Sequence, residues 1–319
     1  MKLVSLILPC YNHEKYISDC LNSLCAQTYQ NIEILITDDC SRDDSFSVLQ
    51  SWQQQLEQRF CRVSIRKNEE NQGVVKTLNS MLADCKGDYI KVLATDDMLL
   101  PDAIEKMVSF AEQEDCDIAF TNAYHFDESL HYPIPNPSGL EKHYPTPPEW
   151  GTNLTGTLLA RNFICAPAVI MPRRTIEKFG LYDPAYIMED FEYWLRVSIS
   201  GKFRYLDECT VLYRMNHNSL SHFSLDAAHI RRHRTFFTQT LAIFSKYEQH
   251  ATPEQKATFF NRELGTTIGL GDKALCKEIL VNMKKRAIPV SLWNRFRVLL
   301  VQANVYLWLK KCKHLLKQG

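Results

Sequence analysis

Two pairs of adjacent aspartates each follow a short apolar run in the first hundred residues of this 319-residue chain. One pair is Asp38-Asp39 and the other is Asp96-Asp97. Adjacent carboxylates repel each other unless a positive charge neutralises them. A hard divalent cation does this, and Mg²⁺ or Mn²⁺ is typically held by one or two carboxylates together with substrate phosphates. The two pairs therefore indicate a divalent metal and a nucleoside diphosphate as ligands.

Helix capping is the alternative explanation, because an acidic residue after a strand often caps the next helix. Behind the first pair, Ser41 and Asp44 form a capping box for the helix that follows. Ser41 then serves as the cap, so neither Asp38 nor Asp39 is needed for capping. Behind the second pair the next helix starts only at Pro101, so capping explains that pair less well. Both explanations stay open for each pair.

The glycine-rich loops that usually cradle phosphates are missing from the sequence. None of the eleven glycines forms a G-x-G-x-x-G motif. Gly151 and Gly156 have the spacing of a Walker loop, but Thr157 stands where that loop needs lysine. ATP hydrolysis and dinucleotide binding are therefore unsupported, and a metal would hold the phosphates instead.

The acidic pairs belong to a regular alternation of strand-like and helix-like segments. Short apolar runs alternate with stretches of helical spacing through the first 120 residues. The alternation predicts an α/β fold with a mainly parallel sheet and helices on both faces. The predicted strands are Leu3–Leu8, Ile32–Thr37, Arg62–Arg66, Tyr89–Ala94 and Asp117–Thr121. Because ligands bind at the carboxyl ends of such strands, we expect Tyr11 and both acidic pairs at one edge of the sheet.

The pattern changes after residue 123. Residues 124–150 contain six prolines and predict an irregular loop, either a lid or a connector. Helices and strands then resume, with two short strands at Phe203–Leu206 and Val211–Arg214, and beyond about residue 225 the spacing is helical only. We predict a ligand-binding and catalytic domain over residues 1–222 and a helical region over residues 223–319.

Several segments, taken in chain order, resemble the inverting glycosyltransferases of family two. The matching segments are Val4–Asn12, Gln27–Glu33, Asp38–Ser41, Asn71–Gly73, Gly87–Ile90, Thr95–Asp97, Glu189–Asp190 and Trp194–Arg196. The resemblance covers about residues 1–220, and the ordered set is more specific than any single piece. It implies a GT-A fold, which is a Rossmann-like α/β domain, and a nucleotide-sugar donor, with a UDP-sugar as the first expectation.

For the nucleotide base, the resemblance implies a site at the end of the first strand. Pro9, Tyr11 and Asn12 come from that strand end, and Tyr11 would stack on the uracil or thymine ring. Asp39 would accept a hydrogen bond from the ring N3–H, which is a donor flanked by two carbonyl groups.

For the diphosphate, the resemblance implies that Asp97 binds a Mn²⁺ or Mg²⁺ ion and that Asp96 lies by the ribose or assists the metal. Thr95 stands where the family has the first aspartate of its Asp-x-Asp motif, so one carboxylate fewer is present. Asn71 is expected in a turn before a helix. Lys76, one turn into that helix, either reaches a phosphate or is a solvated side chain.

For the transfer step, the acceptor hydroxyl must lose a proton as it attacks, and the resemblance implies Asp190 as the catalytic base. A helix start would keep this carboxyl ionised, and a purely structural helix charge is the alternative. Glu189 would share the role or contact the acceptor. Arg214 and His217 lie in a segment that resembles the family's diphosphate region, and a plain surface histidine is the alternative for His217.

The chain is neutral overall, with 37 basic and 37 acidic residues, which disfavours nucleic acid as a partner. The charge is unevenly distributed, because residues 284–319 hold nine Lys or Arg and no Asp or Glu. Trp, Phe and Leu interleave with these cations. Such a basic amphipathic helix is typical of binding to an anionic membrane surface, and packing on the catalytic domain is the alternative.

The cysteines and the apolar segments indicate the compartment. The eleven cysteines include no Cys-x-x-Cys pair, and we interpret them as reduced residues of a cytosolic protein. The N-terminal apolar run is too short for a signal peptide, and no stretch reaches the ~18 residues that span a bilayer. We expect a cytoplasmic protein that is peripheral on the inner face of the cytoplasmic membrane.

The complete expectation is a metal-dependent, inverting, hexosyl-type glycosyltransferase. Its acceptor would be a hydroxyl of a glycan or lipid-linked glycan in the synthesis of bacterial O-antigen, capsule or lipooligosaccharide. Two alternatives stay open. A sugar nucleotidyltransferase would need a basic, glycine-rich loop after the first strand, where Pro9–Asn12 stands. A non-catalytic membrane-surface binding module of the same fold would bind no nucleotide.

Overall fold

The computed structural model of the chain describes residues 1–127, 130–134, 137–149, 151–215 and 227–302. Its strands, β1 to β8 in chain order, are Val4–Cys10, Ile32–Asp38, Arg62–Lys67, Tyr89–Val92, Met98–Leu99, Ile118–Asp127, Val169–Pro172 and Phe203–Met215. Its helices, α1 to α12, are Ile17–Cys25, Ser45–Ser51, Gln53–Arg59, Val74–Asp84, Ala103–Glu114, Leu154–Ala160, Arg173–Phe179, Glu189–Ser198, Ala227–Tyr247, Pro253–Leu270, Lys273–Lys285 and Leu292–Gln302.

The described strands form one sheet in the order β3-β2-β1-β4-β7-β6-β8-β5. Strands β1 to β4 are mutually parallel where they pair, and β6 is parallel to β8. Strand β7 runs antiparallel to β4 and β6, and β5 runs antiparallel to β8. The predicted α/β fold with a mainly parallel sheet is confirmed, and the antiparallel pairs lie beyond β4.

The first two strands are buried along almost their whole length. Only Pro9 of β1 is partly exposed, and every residue of β2 is buried. A strand that is covered on both faces reads as a continuous apolar run, which is why these two strands could be predicted. Helix α1 contributes Ile17, Leu21 and Leu24 to the same core, and each such buried side chain stabilises the fold by about 1.5–3 kcal/mol.

The structure differs from the sequence-based elements mainly in the second half of the sheet. Strand β8 runs unbroken over Phe203–Met215, where two short strands were predicted. It pairs with β6 up to Asp127, with a register shift beside Asn122, so the polar interruption in the sequence is absorbed by an irregular pairing. The predicted helix behind Asp44 is divided into α2 and α3 at Trp52.

The described chain divides into two compact units. Residues 1–149 with 163–215 form the first unit, and residues 151–162 with 227–302 form the second. Within the second unit, Arg262 donates from Nη1 to the carbonyl of Ala160 on α6 at 2.7 Å. The predicted boundary near residue 222 lies outside the described residues, and the additional stretch 151–162 belongs to the helical unit.

The second unit is helical, with an aromatic core. The rings of Phe244 and Phe259 are stacked at 4.3 Å, and Phe260 meets both edge-on. Helix α10 begins with a complete capping box of Thr252 and Gln255. Among the described helices, none combines the length and the apolar character needed to cross a membrane.

Candidate functional site

The ends of β1 and β2 lie side by side and form the first part of the site. Cys10 is the register partner of Asp38, and the N–H of Asp39 donates to the carbonyl of Cys10 at 2.8 Å. Tyr11 follows directly, and 39% of it is exposed. Asn12 has a positive φ of 56°, a conformation that asparagine tolerates. The structure thus places an exposed tyrosine and a buried carboxylate at the adjacent ends of two paired strands.

The carboxylate of Asp39 holds the loop that leads into α4. Its Oδ1 accepts from Asn68 Nδ2 at 2.7 Å and from the N–H of Gln72 at 2.9 Å, and its Oδ2 accepts from the N–H of Gly73 at 2.8 Å. Asn71 donates to the backbone carbonyl of Asp39 at 3.1 Å. A carboxylate accepts about four hydrogen bonds, so these three leave capacity for one more donor.

Lys76 lies on the first turn of α4 and its side chain is exposed. The position agrees with both interpretations, a phosphate contact or a solvated lysine. Pro9 lies inside β1, one residue before its end, and is partly exposed.

The capping role expected for Ser41 is wrong. Helix α2 begins at Ser45, and Ser41 lies before it in a turn. The N–H of Ser41 donates to Asp38 Oδ2 at 3.1 Å, and its hydroxyl donates to Asp38 Oδ1. Asp43 Oδ1 accepts from the N–H and the hydroxyl of Ser45 at the helix start. The hydroxyl of Ser41 therefore donates to Asp38 and does not cap the helix. In the first acidic pair, Asp38 stabilises the local turn, and Asp39 binds the loop that leads into α4.

The second acidic pair follows β4 and combines a buried Asp97 with a partly exposed Asp96. Asp97 is 3% exposed, and its Oδ1 accepts from the N–H of Arg214 at 2.9 Å. Burial, and then the neighbouring charge of Asp96, raise the pKa of Asp97 well above its usual value. A cation beside these two carboxylates would relieve both effects. The residues therefore fit a hard divalent ion, with Asp97 and Asp96 as its oxygen ligands.

Within the described ranges, no group of three or more His, Cys, Asp or Glu side chains is arranged to enclose a metal ion. A site that uses one or two carboxylates and completes its coordination with substrate phosphates and water needs no such group.

His13 is a site residue that the sequence analysis missed. Its Nδ1 lies 2.8 Å from Thr95 Oγ1, and its Nε2 lies 3.8 Å from Asp96 Oδ2. The signal was its position in the loop after β1, beside residues already assigned to the site. The hydroxyl of Thr95, which replaces a family aspartate, is thus bound to a neighbouring imidazole.

Arg214 does not lie where a direct diphosphate contact would require it. Its guanidinium is fully buried and donates from Nε to the carbonyl of Asp96, from Nη1 to that of Leu130 and from Nη2 to Asp19 Oδ2. Because all three nitrogens are bound inside the fold, we correct its expected role from a phosphate ligand to a buried contact of the acidic motif. His217 lies outside the described residues.

Glu189 and Asp190 are the first two residues of α8, and both side chains are partly exposed. Burial and the neighbouring Asp190 raise the pKa of Glu189 to about 8, and burial raises the pKa of Asp190 as well. The helix start favours the ionised forms, but desolvation is the larger effect here. At neutral pH Glu189 therefore retains a proton, and Asp190 is the residue of the pair that ionises more readily.

The buried thiol of Cys165 is affected by the charges of both groups of acids. Burial raises the pKa of Cys165, and the charges of Asp97 and Asp190 raise it further, so both carboxylates act on the same sulfur atom. Lys91 of β4 is also fully buried and donates to the carbonyl of Pro167. Burial lowers the pKa of Lys91 to about 7. The signal for Lys91 was a lysine inside an apolar strand, which the sequence analysis passed over.

These features define the class of protein. A mixed α/β sheet with helices on its faces and acidic motifs at the strand ends is the GT-A fold of nucleotide-sugar-dependent transferases. The chain belongs to glycosyl transferase family 2, whose model matches residues 5–167, just over half of its length.

Two of the curated relatives are glycosyltransferases that this chain matches over about 80% of their own length. The chain is 30% identical over 224 residues to the putative teichuronic acid biosynthesis glycosyltransferase TuaG of Bacillus subtilis, covering 69% of this chain and 81% of TuaG. It is 29% identical over 222 residues to WfaP of Escherichia coli, a UDP-Glc:alpha-D-GlcNAc-diphosphoundecaprenol beta-1,3-glucosyltransferase, covering 69% and 80%. The glycosyltransferases GlyG and GlyA of Streptococcus pneumoniae are each matched over 41% of their own length.

Solved structures share the fold at low sequence identity. S. aureus TarS in complex with UDP-GlcNAc has a TM-score of 0.57 at 15% identity, over 97% of this chain and 92% of that one. The mannosyltransferase PcManGT from Pyrobaculum calidifontis, in complex with GDP-Man and Mn²⁺, has a TM-score of 0.57 at 14% identity, over 97% and 88%.

Proposed function

We propose that the protein is an inverting glycosyltransferase that moves a hexosyl group from a UDP-sugar to a hydroxyl group of a glycan or lipid-linked glycan in bacterial surface polysaccharide. The observation that carries the proposal is the convergence at one sheet edge of Tyr11, Asp39 and the Asp96-Asp97 pair. The UDP-GlcNAc bound by TarS and the UDP-Glc in the name of WfaP support the choice of nucleotide.

The base would bind between the Tyr11 ring and the Asp39 carboxylate. An exposed aromatic face binds a nucleobase by stacking, which contributes about 1–3 kcal/mol. The remaining acceptor capacity of Asp39 suits the single N–H donor of a uracil edge. Guanine and adenine present other donor patterns at that edge, so these two residues favour a uridine or thymidine nucleotide.

Asp97, with Asp96, would hold a Mn²⁺ or Mg²⁺ ion, and the Mn²⁺ in the PcManGT complex supports this proposal. When bound, such an ion stabilises the negative charge of the leaving nucleoside diphosphate as a Lewis acid. The raised pKa of Asp97 has the direction expected of a carboxylate that a cation would stabilise.

Asp190 would accept the proton of the acceptor hydroxyl as that oxygen attacks the anomeric carbon from the side opposite the leaving group. This geometry inverts the configuration at the anomeric carbon, whose transition state resembles an oxocarbenium ion. Glu189, protonated at neutral pH, would limit the negative charge beside the base and can donate a hydrogen bond to the acceptor.

The acceptor would be lipid-linked and the protein peripheral on the inner face of the cytoplasmic membrane. The name of WfaP specifies a diphosphoundecaprenol acceptor. On α12, the side chains of Leu292, Trp293, Phe296 and Leu299 are all more than half exposed, and Arg295 and Arg297 accompany them. An apolar stripe with adjacent cations suits an anionic lipid surface.

The deciding experiment is a screen of nucleotide sugars for Mn²⁺-dependent hydrolysis or transfer by the wild type. We expect a UDP-sugar to be used and both Asp97→Ala and Asp190→Asn to reduce the rate by about 10²-fold or more. Asp115→Asn is the control, because Asp115 is exposed and has a positive φ that asparagine accepts. Undiminished rates in both variants would contradict the residue assignments, and inactivity toward every nucleotide sugar would contradict the function.

A further inference from the structure

A buried ion pair joins α1 to the end of β8 next to the acidic motif. Arg214 Nη2 donates to Asp19 Oδ2 at 2.9 Å, across 195 positions of sequence. The guanidinium is fully buried and the Asp19 side chain nearly so. Loss of one partner of such a buried pair destabilises the protein, because the remaining charge is then neither neutralised nor well solvated.

The arginine reaches the acidic motif through its backbone and its Nε rather than through its paired Nη2. The N–H of Arg214 donates to Asp97 Oδ1, and its Nε donates to the carbonyl of Asp96, both at 2.9 Å. The rings of Tyr16 and Phe126 lie 4.6 Å and 4.4 Å from the guanidinium carbon and restrict its position. The carboxylate of Asp19 thus draws the guanidinium charge toward α1.

The same pair fastens the segment 130–134, which belongs to the loop after β6. Arg214 Nη1 donates to the carbonyl of Leu130 at 3.0 Å. The N–H of Tyr132 donates to Asp19 Oδ1 at 3.1 Å, and His131 Nδ1 lies 2.8 Å from Asp19 Oδ2. Each member of the pair therefore holds the segment, and Arg214 also holds the acidic motif.

We propose that Asp19 and Arg214 are positioning residues that orient the Asp96-Asp97 motif for its cation and hold the segment 130–134 beside it. Without the Asp19 charge, the guanidinium would compete with the cation for the carboxylate of Asp97, whose Oδ1 already accepts from the N–H of Arg214. The predicted effect on cation binding rests on the proposed function. The fastening of the segment 130–134 by its hydrogen bonds to Asp19 and Arg214 does not.

The fastening is tested by hydrogen exchange with mass spectrometry on the full chain. We expect Asp19→Asn to increase exchange at the Tyr132 amide, measured in peptides covering 130–134, by about tenfold or more, because this N–H loses a charged acceptor. Asp19→Glu, which keeps the charge, should retain most of the protection of these peptides against exchange. It also provides the test if the asparagine variant does not fold. The control is Glu33→Gln, since Glu33 is another buried carboxylate paired with an arginine, Arg62 at 2.7 Å, near the start of β2. Equal exchange of this segment in Asp19→Asn and wild type, or the same increase in Glu33→Gln, would overturn the proposal.

The positioning is tested by calorimetric titration of UDP at a series of Mn²⁺ concentrations. Asp19→Asn should raise the Mn²⁺ concentration for half-maximal binding by about tenfold and change UDP affinity at saturating Mn²⁺ much less. Asp19→Glu should restore the wild-type value, and Glu33→Gln should not alter it. An unchanged Mn²⁺ requirement in Asp19→Asn would show that the pair is merely structural. Absence of UDP binding by the wild type would contradict the proposed function, while the exchange result still decides the fastening.

Discussion

The N–H of Gly73 donates to the carboxylate of Asp39 at 2.8 Å and so joins the end of β2 to the start of α4. Gly73 has a φ of 81°, which a side chain at this position would strain. Asp39 is the residue that we propose to bind the nucleobase. The glycine therefore couples the stability of this loop to the orientation of a ligand-binding carboxylate.

Replacing Gly73 by alanine should destabilise the fold by about 1–3 kcal/mol, because its φ of 81° with a ψ of 155° lies in a backbone region that only glycine adopts readily. Nothing lies within 4 Å of the added Cβ, so the cost arises from the backbone and not from a clash. UDP affinity should fall as well. Urea unfolding and calorimetry measure the two effects. Gly269→Ala is the matched control, since that glycine is helical with equally open surroundings and alanine should stabilise it. Equal responses at both positions would contradict the prediction.

Replacing Tyr11 by alanine should weaken UDP binding by about 1–3 kcal/mol through loss of stacking. Protein stability should change little because the ring is well exposed. Tyr11→Phe keeps the aromatic face and should bind UDP like the wild type. Calorimetric affinities decide the matter, and a phenylalanine variant as weak as the alanine variant would indicate a role for the hydroxyl instead of stacking.

The acid limb of the rate–pH profile should depend on the acidic pair Glu189 and Asp190 at the start of α8. Because the pKa of Asp190 is raised, the rate should fall with decreasing pH well before the usual aspartate range is reached. Glu189→Gln should leave this limb nearly unchanged, because a protonated Glu189 carries no charge in the acid range. The profile of kcat/KM measures the limb, and a rate that stays constant down to the usual aspartate range would exclude Asp190 as the titrating base.

The same pair should affect stability with a defined sign. The folded-state pKa of Glu189 is raised to about 8 from an ordinary 4.5, so the folded protein binds more protons between these values. Stability contributed by this residue is present below about pH 4.5 and is lost as the pH rises toward 8. Relative to the wild type, Glu189→Gln should therefore gain stability over this range in urea unfolding. A constant difference between pH 5 and pH 8.5 would contradict the raised pKa.

The exposed stripe of α12 should bind anionic membranes. Replacing Trp293 and Phe296 together by serine should reduce binding to anionic vesicles by at least about tenfold, because each ring would bury apolar area in the interface. Cosedimentation with vesicles of anionic and of neutral lipid measures this. The double variant Leu181→Ser with Ile199→Ser removes two exposed apolar side chains from the first unit and should leave binding unchanged. Equal losses in both double variants would place the contact elsewhere.

Local periodicity was sufficient for the strands that begin the sheet. Strands β1 and β2 are continuous apolar runs, and their ends carry the residues that the family resemblance assigned to the nucleotide. It was insufficient for β8, because the pairing with β6 spans a register shift that no short window of sequence contains. It was also insufficient for Ser41, since a hydroxyl near a helix start can cap the helix or serve the preceding turn equally well.

By itself, the sequence determined the family, the α/β class and the positions of the carboxylates, because motifs and hydrophobic periods are local properties of the chain. Only the tertiary structure decided which charges neutralise one another. Arg214 resembled a phosphate contact until Asp19, on α1 and 195 positions earlier, proved to be its partner in the interior. Such a pairing depends on desolvation and on distances between remote elements, and these exist only once the sheet and its helices have packed.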